Sequence, residues 1–178
     1  MAQQLATFGA GCFWCLEAAM NQLHGVIKAY SGYMGGSADS ATYQQVCRGD
    51  TGHAEVVQLS FDDSVLDFSQ LCLIFFSLHD PTQLNRQGND VGTQYRSVIF
   101  CHNNEQQQIA KAIIADLTEQ QVFQAPIVTD ITEAETFYPA EAYHQGYFLA
   151  HPEQAYCQYI IAPKMARFRQ QYQARLKS

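Results

Sequence analysis

The sequence has few basic residues and no long apolar segment. Its 178 residues include 10 Lys and Arg against 17 Asp and Glu, which gives a net charge of -7. This balance argues against nucleic acid or an anionic membrane as the main partner, because both attract basic surfaces. The longest apolar run, residues 71–76, is far shorter than the roughly 20 residues of a transmembrane helix, and residues 1–5 show no signal-peptide pattern. We therefore expect a soluble, cytoplasmic protein that acts on a small or peptide-like substrate.

The six cysteines form no disulfide framework. They occur at irregular positions, namely 12, 15, 47, 72, 101 and 157, and a chain of this length can fold on its hydrophobic core without covalent cross-links. We expect free thiols in a reducing compartment. Cys72 and Cys101 lie in apolar segments and are interpreted as small core residues, which leaves Cys12, Cys15 and Cys157 as candidates for chemistry.

Strand and helix patterns alternate along the chain, without internal repeats or low-complexity linkers. Apolar or alternating runs predict strands at residues 5–11, 26–30, 54–61, 95–100, 127–128 and 131–137. Helical spacing predicts a helix that follows Cys12, a second one that is capped by Asp67, and further helices at residues 104–120, 140–150 and 163–177. This order predicts an α+β fold in a single domain, residues 1–178, with a mixed β-sheet, flanking helices and a ferredoxin-like core.

Two polar segments stand out. The loop at residues 80–94 has no hydrophobic period, and loops of that length in compact domains are usually functional or disordered. The strand that follows it favours an ordered loop. The tail helix carries five basic residues between 163 and 177; we interpret them as a solvated face, with a docking surface as the alternative.

Cys12 is predicted to lie between the end of a strand and the start of a helix. Unpaired backbone N–H groups and the positive end of the helix dipole favour an anion there. Such a position can lower the pKa of a cysteine from roughly 8.5 to between about 3.5 and 7.5, so we expect a thiolate. Phe13 and Trp14 follow directly and would form an apolar wall beside it.

Cys12 and Cys15 form a C-x-x-C motif that supports three interpretations. A zinc site would need two more ligands, and the sequence has no second C-x-x-C and no H-x3-5-H pair. A thioredoxin-like dithiol site suits a helix N-terminus, but no proline is an obvious candidate for the required cis-proline loop. In the third interpretation Cys12 attacks alone and another thiol resolves its oxidised form.

Five separated segments carry a resemblance that covers nearly the whole chain. In sequence order they are Gly11-Cys12-Phe13-Trp14, Thr42-Tyr43 with Val46-Cys47, Gly49-Asp50-Thr51-Gly52-His53-Ala54-Glu55, His79-Asp80-Pro81, and Gln87-Gly88-Asn89-Asp90-Val91-Gly92-Thr93-Gln94-Tyr95-Arg96-Ser97. Together they resemble peptide methionine sulfoxide reductase A. The resemblance implies a mixed α/β sandwich that reduces the S epimer of methionine sulfoxide, free or in proteins, with thioredoxin as the usual electron donor.

The resemblance also implies roles for single residues. Cys12 would be the nucleophile, and Phe13 and Trp14 the hydrophobic wall for the substrate methyl group. A further four match the polar residues around the sulfoxide: Tyr43, Glu55, Asp90 and Tyr95. Chemistry supports these roles, because a sulfoxide oxygen must be protonated to leave, and Glu55 can supply the proton if burial keeps it protonated. Tyr43 and Tyr95 can donate hydrogen bonds without titrating. His53 is interpreted as a structural hydrogen-bonding residue.

Recycling of Cys12 leaves two candidates. Cys157, in the C-terminal tail at residues 151–178, lies at a position that resembles the first recycling cysteine of the family, and the chain has no second one there. We favour Cys157, with Cys15 as the alternative, because three positions along a helix do not guarantee disulfide geometry. Cys47 is interpreted as a structural thiol.

The remaining expectations concern partners and competing functions. Electrons would arrive as dithiols, so we expect no cofactor and no metal, and the glycines at residues 32–36 do not form a dinucleotide fingerprint. We expect a monomer whose partners are oxidised methionine and thioredoxin. The alternatives are a thioredoxin-like thiol-disulfide oxidoreductase and a module that binds oxidised methionine without turnover.

Overall fold

A six-stranded mixed β-sheet organises the molecule. The computed structural model describes residues 3–177, so residues 1–2 and 178 of the predicted domain lie outside the described part. The strand order is β7-β6-β1-β3-β2-β8, in which only β6 and β7 are parallel. The strands are β1 Gln3–Ala10, β2 Val26–Met34, β3 Ala54–Asp62, β6 Ser97–Cys101, β7 Asp130–Glu133 and β8 Tyr138–Pro139, and a separate hairpin pairs β4 Arg86–Gln87 with β5 Asp90–Val91.

The helices pack mainly against one face of this sheet. They are α1 Phe13–Met20, α2 Tyr43–Val46, α3 Phe68–Ser77, α4 Asn104–Glu119, α5 Tyr147–Ala150 and α6 Ala162–Gln171. Phe8 and Leu59 of the sheet share the main core cluster with Leu16 of α1 and Phe75 of α3. A smaller cluster, which includes Val56, covers part of the other face. The α+β prediction is confirmed: a mixed sheet carries flanking helices. No helix within residues 3–177 is long and apolar enough to cross a bilayer.

Several elements form where local patterns predict them. The strands β1, β2 and β3 and helix α4 lie within a few residues of their predicted bounds. Asp67 caps α3 through a capping box, in which its side chain accepts from the Gln70 N–H and the Gln70 side chain accepts from the Asp67 N–H. The predicted loop at residues 80–94 is ordered and contains the hairpin β4–β5, which turns at Gly88 with φ 61.

Four predicted elements are wrong in extent. The strand predicted at residues 131–137 ends at Glu133, as β7, because the chain then crosses to β8 at the opposite edge of the sheet. The predicted strand at residues 127–128 is absent, because the Val128 N–H donates to the Pro81 carbonyl oxygen instead of a sheet neighbour. The predicted helix at residues 140–150 is split into a 3₁₀ turn, Ala142–His144, and the single turn α5, because Gly146 adopts a left-handed conformation between them. The tail helix begins earlier than predicted, as a π-helix at Cys157–Ile161 that continues into α6. It also ends earlier, at Gln171, and a 3₁₀ turn at Gln173–Arg175 follows.

Gly32 lets β8 approach β2, and its replacement should loosen this edge of the sheet. A Cβ atom there would overlap the Phe137 ring and lie 2.6 Å from the Tyr138 carbonyl oxygen. We expect Gly32→Ala to lower the free energy of unfolding by about 1–3 kcal/mol, the usual cost of overpacking, as measured by urea denaturation. Lys28→Ala, at an exposed position of the same strand, is the control and should change it by less than about 0.5 kcal/mol. Equal stability of the two variants would show that β8 is not held in close contact.

Candidate active site

Cys12 lies at the predicted junction between a strand and a helix. It follows the end of β1 and occupies the N-cap position of α1, with extended backbone angles of φ -62 and ψ 124. Its own side chain makes no capping hydrogen bond. The N–H of Phe13 belongs to the first helical turn and has no partner within the helix. It donates to Oε1 of Glu55 over 3.2 Å. The start of α1 therefore brings a thiol and a carboxyl group together.

A cavity of about 240 Å³ opens on Cys12. Seven of its nine lining residues are ones that the sequence predicts for the site, namely Cys12, Phe13, Trp14, Tyr43, Glu55, Asp90 and Tyr95. The other two, Gln154 and Tyr156, come from the C-terminal tail. Elements far apart in sequence thus meet at one small space: the end of β1, α2, the start of β3, the hairpin loop and the tail.

Glu55 is a buried acid whose environment favours the protonated form. It is 2 % exposed and lies on β3 beneath the start of α1. Burial raises its pKa to about 8; the N–H of Phe13 acts against this shift, and the charge of Asp90 adds to it. At neutral pH the Glu55 carboxyl therefore carries a proton that it can donate into the cavity.

The expectation that Cys12 is a thiolate is wrong for the substrate-free protein. Burial raises the pKa of Cys12 well above its ordinary value, and the charge of Glu55 raises it further. The backbone hydrogen bond from Trp14 lowers the pKa but does not outweigh them. The start of the helix lowers the pKa of Cys12, as predicted, but the loss of water around the sulfur and the neighbouring acid raise this pKa by more. Cys12 is thus a thiol before substrate enters.

Tyr43 and Tyr95 supply neutral hydrogen-bond donors. Burial raises the pKa of both phenols above the ordinary value, and the charge of Glu55 adds to the shift in each case. Tyr43 begins α2, and its own N–H donates to Glu141 over 3.0 Å, which fixes its backbone. Tyr95 ends the 3₁₀ turn Thr93–Tyr95 that precedes β6. Both hydroxyl groups keep their protons over the physiological pH range.

Asp90 joins the hairpin to the C-terminal tail. Its Oδ2 accepts a hydrogen bond of 2.6 Å from the Tyr156 hydroxyl group. Burial raises the pKa of Tyr156, and the charge of Cys12 and the hydrogen bond to Asp90 raise it further. The Tyr156 hydroxyl group therefore keeps its proton and remains a donor. The Asp90 carboxylate and the Tyr156 ring lie on the wall between the first cavity and a second one of about 400 Å³, which also opens on Cys12.

The two candidate recycling thiols occupy different surroundings. Cys15 is 8 % exposed and lines the second cavity together with Cys12 and Lys164. Cys157 is fully buried in the core at the start of the π-helix, and its N–H donates to Oε1 of Gln154 over 3.0 Å. Cys157 lines neither cavity, although the preceding Tyr156 lines both. All six cysteines are free.

Three other groups near the site were not identified from the sequence: Tyr156, Glu141 and His144. The Trp14 indole Nε1–H donates to Nδ1 of His144 over 2.9 Å, and Glu141 accepts from both the Tyr43 N–H and the Tyr33 hydroxyl group. Glu141 and His144 lie in residues 140–150, where a helix was predicted from local spacing, and local spacing does not indicate contacts with residues about 100 or more positions away.

His53 makes structural hydrogen bonds outside the cavity. Its Nδ1 accepts from the Gly36 N–H over 3.1 Å, and its Nε2–H therefore donates to the Ser37 carbonyl oxygen over 2.8 Å. Both partners belong to the turn after β2, in agreement with a structural role. Among residues 3–177 there is no group of three or more His, Cys, Asp or Glu side chains that could hold a metal ion.

Comparisons with known proteins agree on one family. Residues 4–176 match the family described as Peptide methionine sulfoxide reductase. The chain is 51% identical to the Peptide methionine sulfoxide reductase MsrA of Polynucleobacter asymbioticus over 95% of this chain and 89% of that protein.

Solved structures give the same answer. Mxr1 from Saccharomyces cerevisiae in reduced form superposes with a TM-score of 0.80 at 33% identity, covering 87% of this chain and 89% of that one. The same yeast protein in complex with Trx2 gives a TM-score of 0.55 at 25% identity, covering 82% and 84%. The family match over almost all of the sequence, together with a cavity built from the residues that the resemblance assigns, shows that this chain belongs to the peptide methionine sulfoxide reductase family.

Proposed function

We propose that this chain reduces methionine S-sulfoxide, free or in proteins, to methionine, with Cys12 as the nucleophile and Glu55 as the proton donor. The observation that carries the proposal is one cavity in which a thiol, a protonated carboxyl group and three phenols, those of Tyr43, Tyr95 and Tyr156, lie beside the aromatic wall of Phe13 and Trp14. A sulfoxide has a polar oxygen and an apolar methyl group on the same sulfur. Donors on one side and Phe13 with Trp14 on the other match both parts.

The first step transfers oxygen from substrate to enzyme. Sγ of Cys12 attacks the sulfoxide sulfur while Glu55 gives its proton to the oxygen, and Tyr43 and Tyr95 donate hydrogen bonds to the same atom. The attack forms a bond between Sγ and the substrate sulfur. This bond and the substrate S–O bond then break as the hydroxyl group moves to Sγ, so the substrate sulfur gains two electrons and leaves as the thioether of methionine. Cys12 is oxidised to the sulfenic acid, and its former thiol proton restores Glu55. One thiol and one sulfoxide thus give one sulfenic acid and one thioether.

The two raised pKa values fit this step. A Cys12 thiolate beside an ionised Glu55 would place two negative charges together, which is why the charge of Glu55 raises the pKa of Cys12. Transfer of the Glu55 proton to the sulfoxide and loss of the Cys12 proton compensate one another within the cavity. Substrate is therefore the group that activates the thiol, and Cys12 stays a poorly reactive thiol between turnovers.

We propose Cys157 as the thiol that resolves the sulfenic acid. Its thiol would attack Sγ of the Cys12 sulfenic acid, forming a disulfide and releasing water. Two observations support it: Tyr156, the adjacent residue, lines the Cys12 cavity, and Cys157 begins a π-helix, a feature frequent at functional sites. Burial raises the pKa of Cys157, so residues 151–161 must open locally before the disulfide forms.

Cys15 is the second candidate for this role. It shares the second cavity with Cys12, so no opening of the tail is needed to bring solvent and both thiols together. Burial raises the pKa of Cys15, and the nearby Lys164 acts in the opposite direction. Proximity favours Cys15 in the resting structure, whereas the likeness of the tail to the family favours Cys157, and peptide mapping separates them.

Further parts of the proposal concern the reductant and the setting. A dithiol protein such as thioredoxin would reduce the disulfide; the yeast relative is named in a structure with Trx2. Six free cysteines suit a reducing compartment such as the cytoplasm. We propose a single domain, a monomer that works without a cofactor, and a role in the repair of proteins with oxidised methionine.

Cys12→Ser tests the proposed function directly. The hydroxyl group keeps the size of the thiol but is too poor a nucleophile to take oxygen from sulfur, so we expect no thioether above background. The measurement is methionine release from an S-sulfoxide peptide with dithiothreitol, with Cys101→Ala, in the core at the end of β6, as the control of normal turnover. Stoichiometric methionine release by Cys12→Ser would overturn the assignment, and insulin reduction without sulfoxide turnover by the unmodified chain would place it among thiol-disulfide oxidoreductases.

Glu55→Gln should slow the chemical step without loss of binding. The amide keeps the shape and can still accept from the Phe13 N–H, but it cannot transfer a proton. We expect the single-turnover rate to fall by about 10²–10⁴-fold. In the unmodified chain the same rate should fall as pH rises through about 8, where Glu55 loses its proton, and the variant should lack this dependence.

The matched control for Glu55 is Glu17→Gln. Glu17 is also buried, at 4 % exposure, but its carboxylate binds Ser31 and the Gly146 N–H outside the cavity. Its rate should stay within about threefold of the unmodified chain. A Glu55→Gln rate within the same range would show that water or the tyrosines supply the proton.

Cys157→Ser should complete one turnover but fail to cycle with thioredoxin. The reason is that Cys12 sulfenic acid forms normally and then lacks its partner thiol. Cys15→Ser is the matched variant and should keep thioredoxin-supported cycling. Peptide mapping of the substrate-oxidised protein should give a Cys12–Cys157 disulfide. A Cys12–Cys15 disulfide, with cycling lost in Cys15→Ser and kept in Cys157→Ser, would transfer the role to Cys15.

A further inference from the structure

His144 is enclosed by aromatic rings next to the substrate wall. It is 1 % exposed, and its ring centroid lies 4.2 Å from that of Tyr143, 4.4 Å from Tyr43, 5.2 Å from Phe13 and 5.7 Å from Trp14. Three of these four rings, all except Tyr143, line the cavity of Cys12. The imidazole is therefore in contact with the wall from behind, without lining the cavity itself.

The hydrogen bond from Trp14 fixes the tautomer of this ring. An indole nitrogen can only donate, so Nδ1 of His144 must be the acceptor over the 2.9 Å that separate them. Neutral imidazole carries one proton, which must then be on Nε2. A protonated imidazole donates from both nitrogens and offers no acceptor. The bond to Trp14 and the imidazolium ion therefore exclude each other.

The other nitrogen of His144 is buried without a partner. Within residues 3–177, Nε2 is one of few buried polar atoms that have no hydrogen-bond partner. Within the described residues, no hydrogen bond at Nε2 stabilises the imidazolium ion, and the Trp14 bond at Nδ1 is the hydrogen bond that holds the ring. A buried donor that loses its acceptor lowers stability by about 1–3 kcal/mol. Protonation of Nδ1 would leave the indole N–H in this state.

We propose that neutral His144 is a positioning residue that holds the Trp14 indole against the substrate methyl group, and that protonation of His144 releases the indole and weakens substrate binding. The proposal rests on the proposed function in one respect only, since it takes Trp14 as part of the methyl pocket. The indole is stacked on its other side against Tyr147, with a centroid distance of 3.9 Å and an interplanar angle of 12°. Within the described residues, His144 is the hydrogen-bond acceptor of the indole N–H.

The groups that face His144 set the pH range. Burial lowers its pKa below the ordinary value of about 6.5, and the charge of Glu141 acts in the opposite direction. Burial opposes ionisation of Glu141 as well, but hydrogen bonds from Tyr43 and its own backbone, and from Tyr33, lower its pKa overall, so this charge persists. Burial raises the pKa of Tyr43 and of Tyr143, so these phenols stay neutral.

The sign of the effect follows from the lowered pKa. At neutral pH the ring is neutral and the indole is held. The transition occurs on the acid side of about 6.5, where His144 gains its second proton. Cys12 and Glu55, with raised pKa values, keep their protons throughout that range. A loss of affinity below pH 6.5 therefore has a different origin from the loss of rate near pH 8.

Intrinsic fluorescence can observe this contact without turnover, because Trp14 is the single tryptophan of the chain. We expect its emission to change in one-proton fashion with a midpoint below about 6.5. The transition should vanish in His144→Gln, whose amide oxygen can accept from the indole but does not titrate. It should persist in His151→Gln, the matched control, because the His151 ring packs against Tyr147 at a centroid distance of 4.6 Å and a tilt of 40°, whereas the indole N–H donates to His144. A transition that survives in His144→Gln would overturn the proposal.

Kinetics give the second readout. His144→Phe fills the space without an acceptor, and we expect the KM for sulfoxide to rise about threefold to tenfold at pH 7.5, with kcat within about threefold. His144→Gln should restore KM to within about twofold. If KM is unchanged in His144→Phe while its emission shifts, Trp14 is held by His144 but is not part of the methyl pocket, which overturns the binding half of the proposal. The proposed function is tested separately by Cys12→Ser: loss of turnover supports it, and retained turnover contradicts it.

Discussion

The contact between the first turn of α1 and the carboxyl group of Glu55 is the interaction on which the site depends. It joins the N-terminal end of a helix, where backbone donors lack partners, to a strand residue that is hidden from water. A helix end usually favours an anion, but burial here keeps the acid protonated with a pKa of about 8. The same burial suppresses ionisation of Cys12. The acid and the thiol that meet in the cavity are therefore both protonated at neutral pH.

Polar contacts around the cavity come from segments with little regular structure. The hairpin loop and the tail meet through Asp90 and Tyr156, and Glu141 anchors both Tyr33 and Tyr43. These bonds hold irregular chain segments against the rigid sheet, which is the usual arrangement of a functional site on a scaffold. Stability of the fold rests on the core beneath, so the site can rearrange while the sheet stays intact.

Local patterns were sufficient to predict what depends on neighbours in sequence. The strand–helix junction at Cys12, the Asp67 cap and the ordered loop before β6 follow from residues a few positions apart. The pKa of Cys12 was predicted in the wrong direction because it depends on burial and on a residue of another strand. The bond between Trp14 and His144 joins residues 130 positions apart, and helical periodicity at residues 140–150 concealed the break at Gly146. Long-range contacts of single side chains leave no periodic trace in a sequence.

The position of Cys157 next to Tyr156 has a consequence for the order of events in a catalytic cycle. Tyr156 closes one side of the substrate cavity through its bond to Asp90, and Cys157 is buried directly behind it. A tail that swings outward to deliver the Cys157 sulfur would carry Tyr156 away from Asp90. The pocket for the next sulfoxide would then be dismantled for as long as the disulfide lasts. The disulfide form would therefore not bind oxidised proteins, and it would not compete for them with the reduced form, whose pocket is intact.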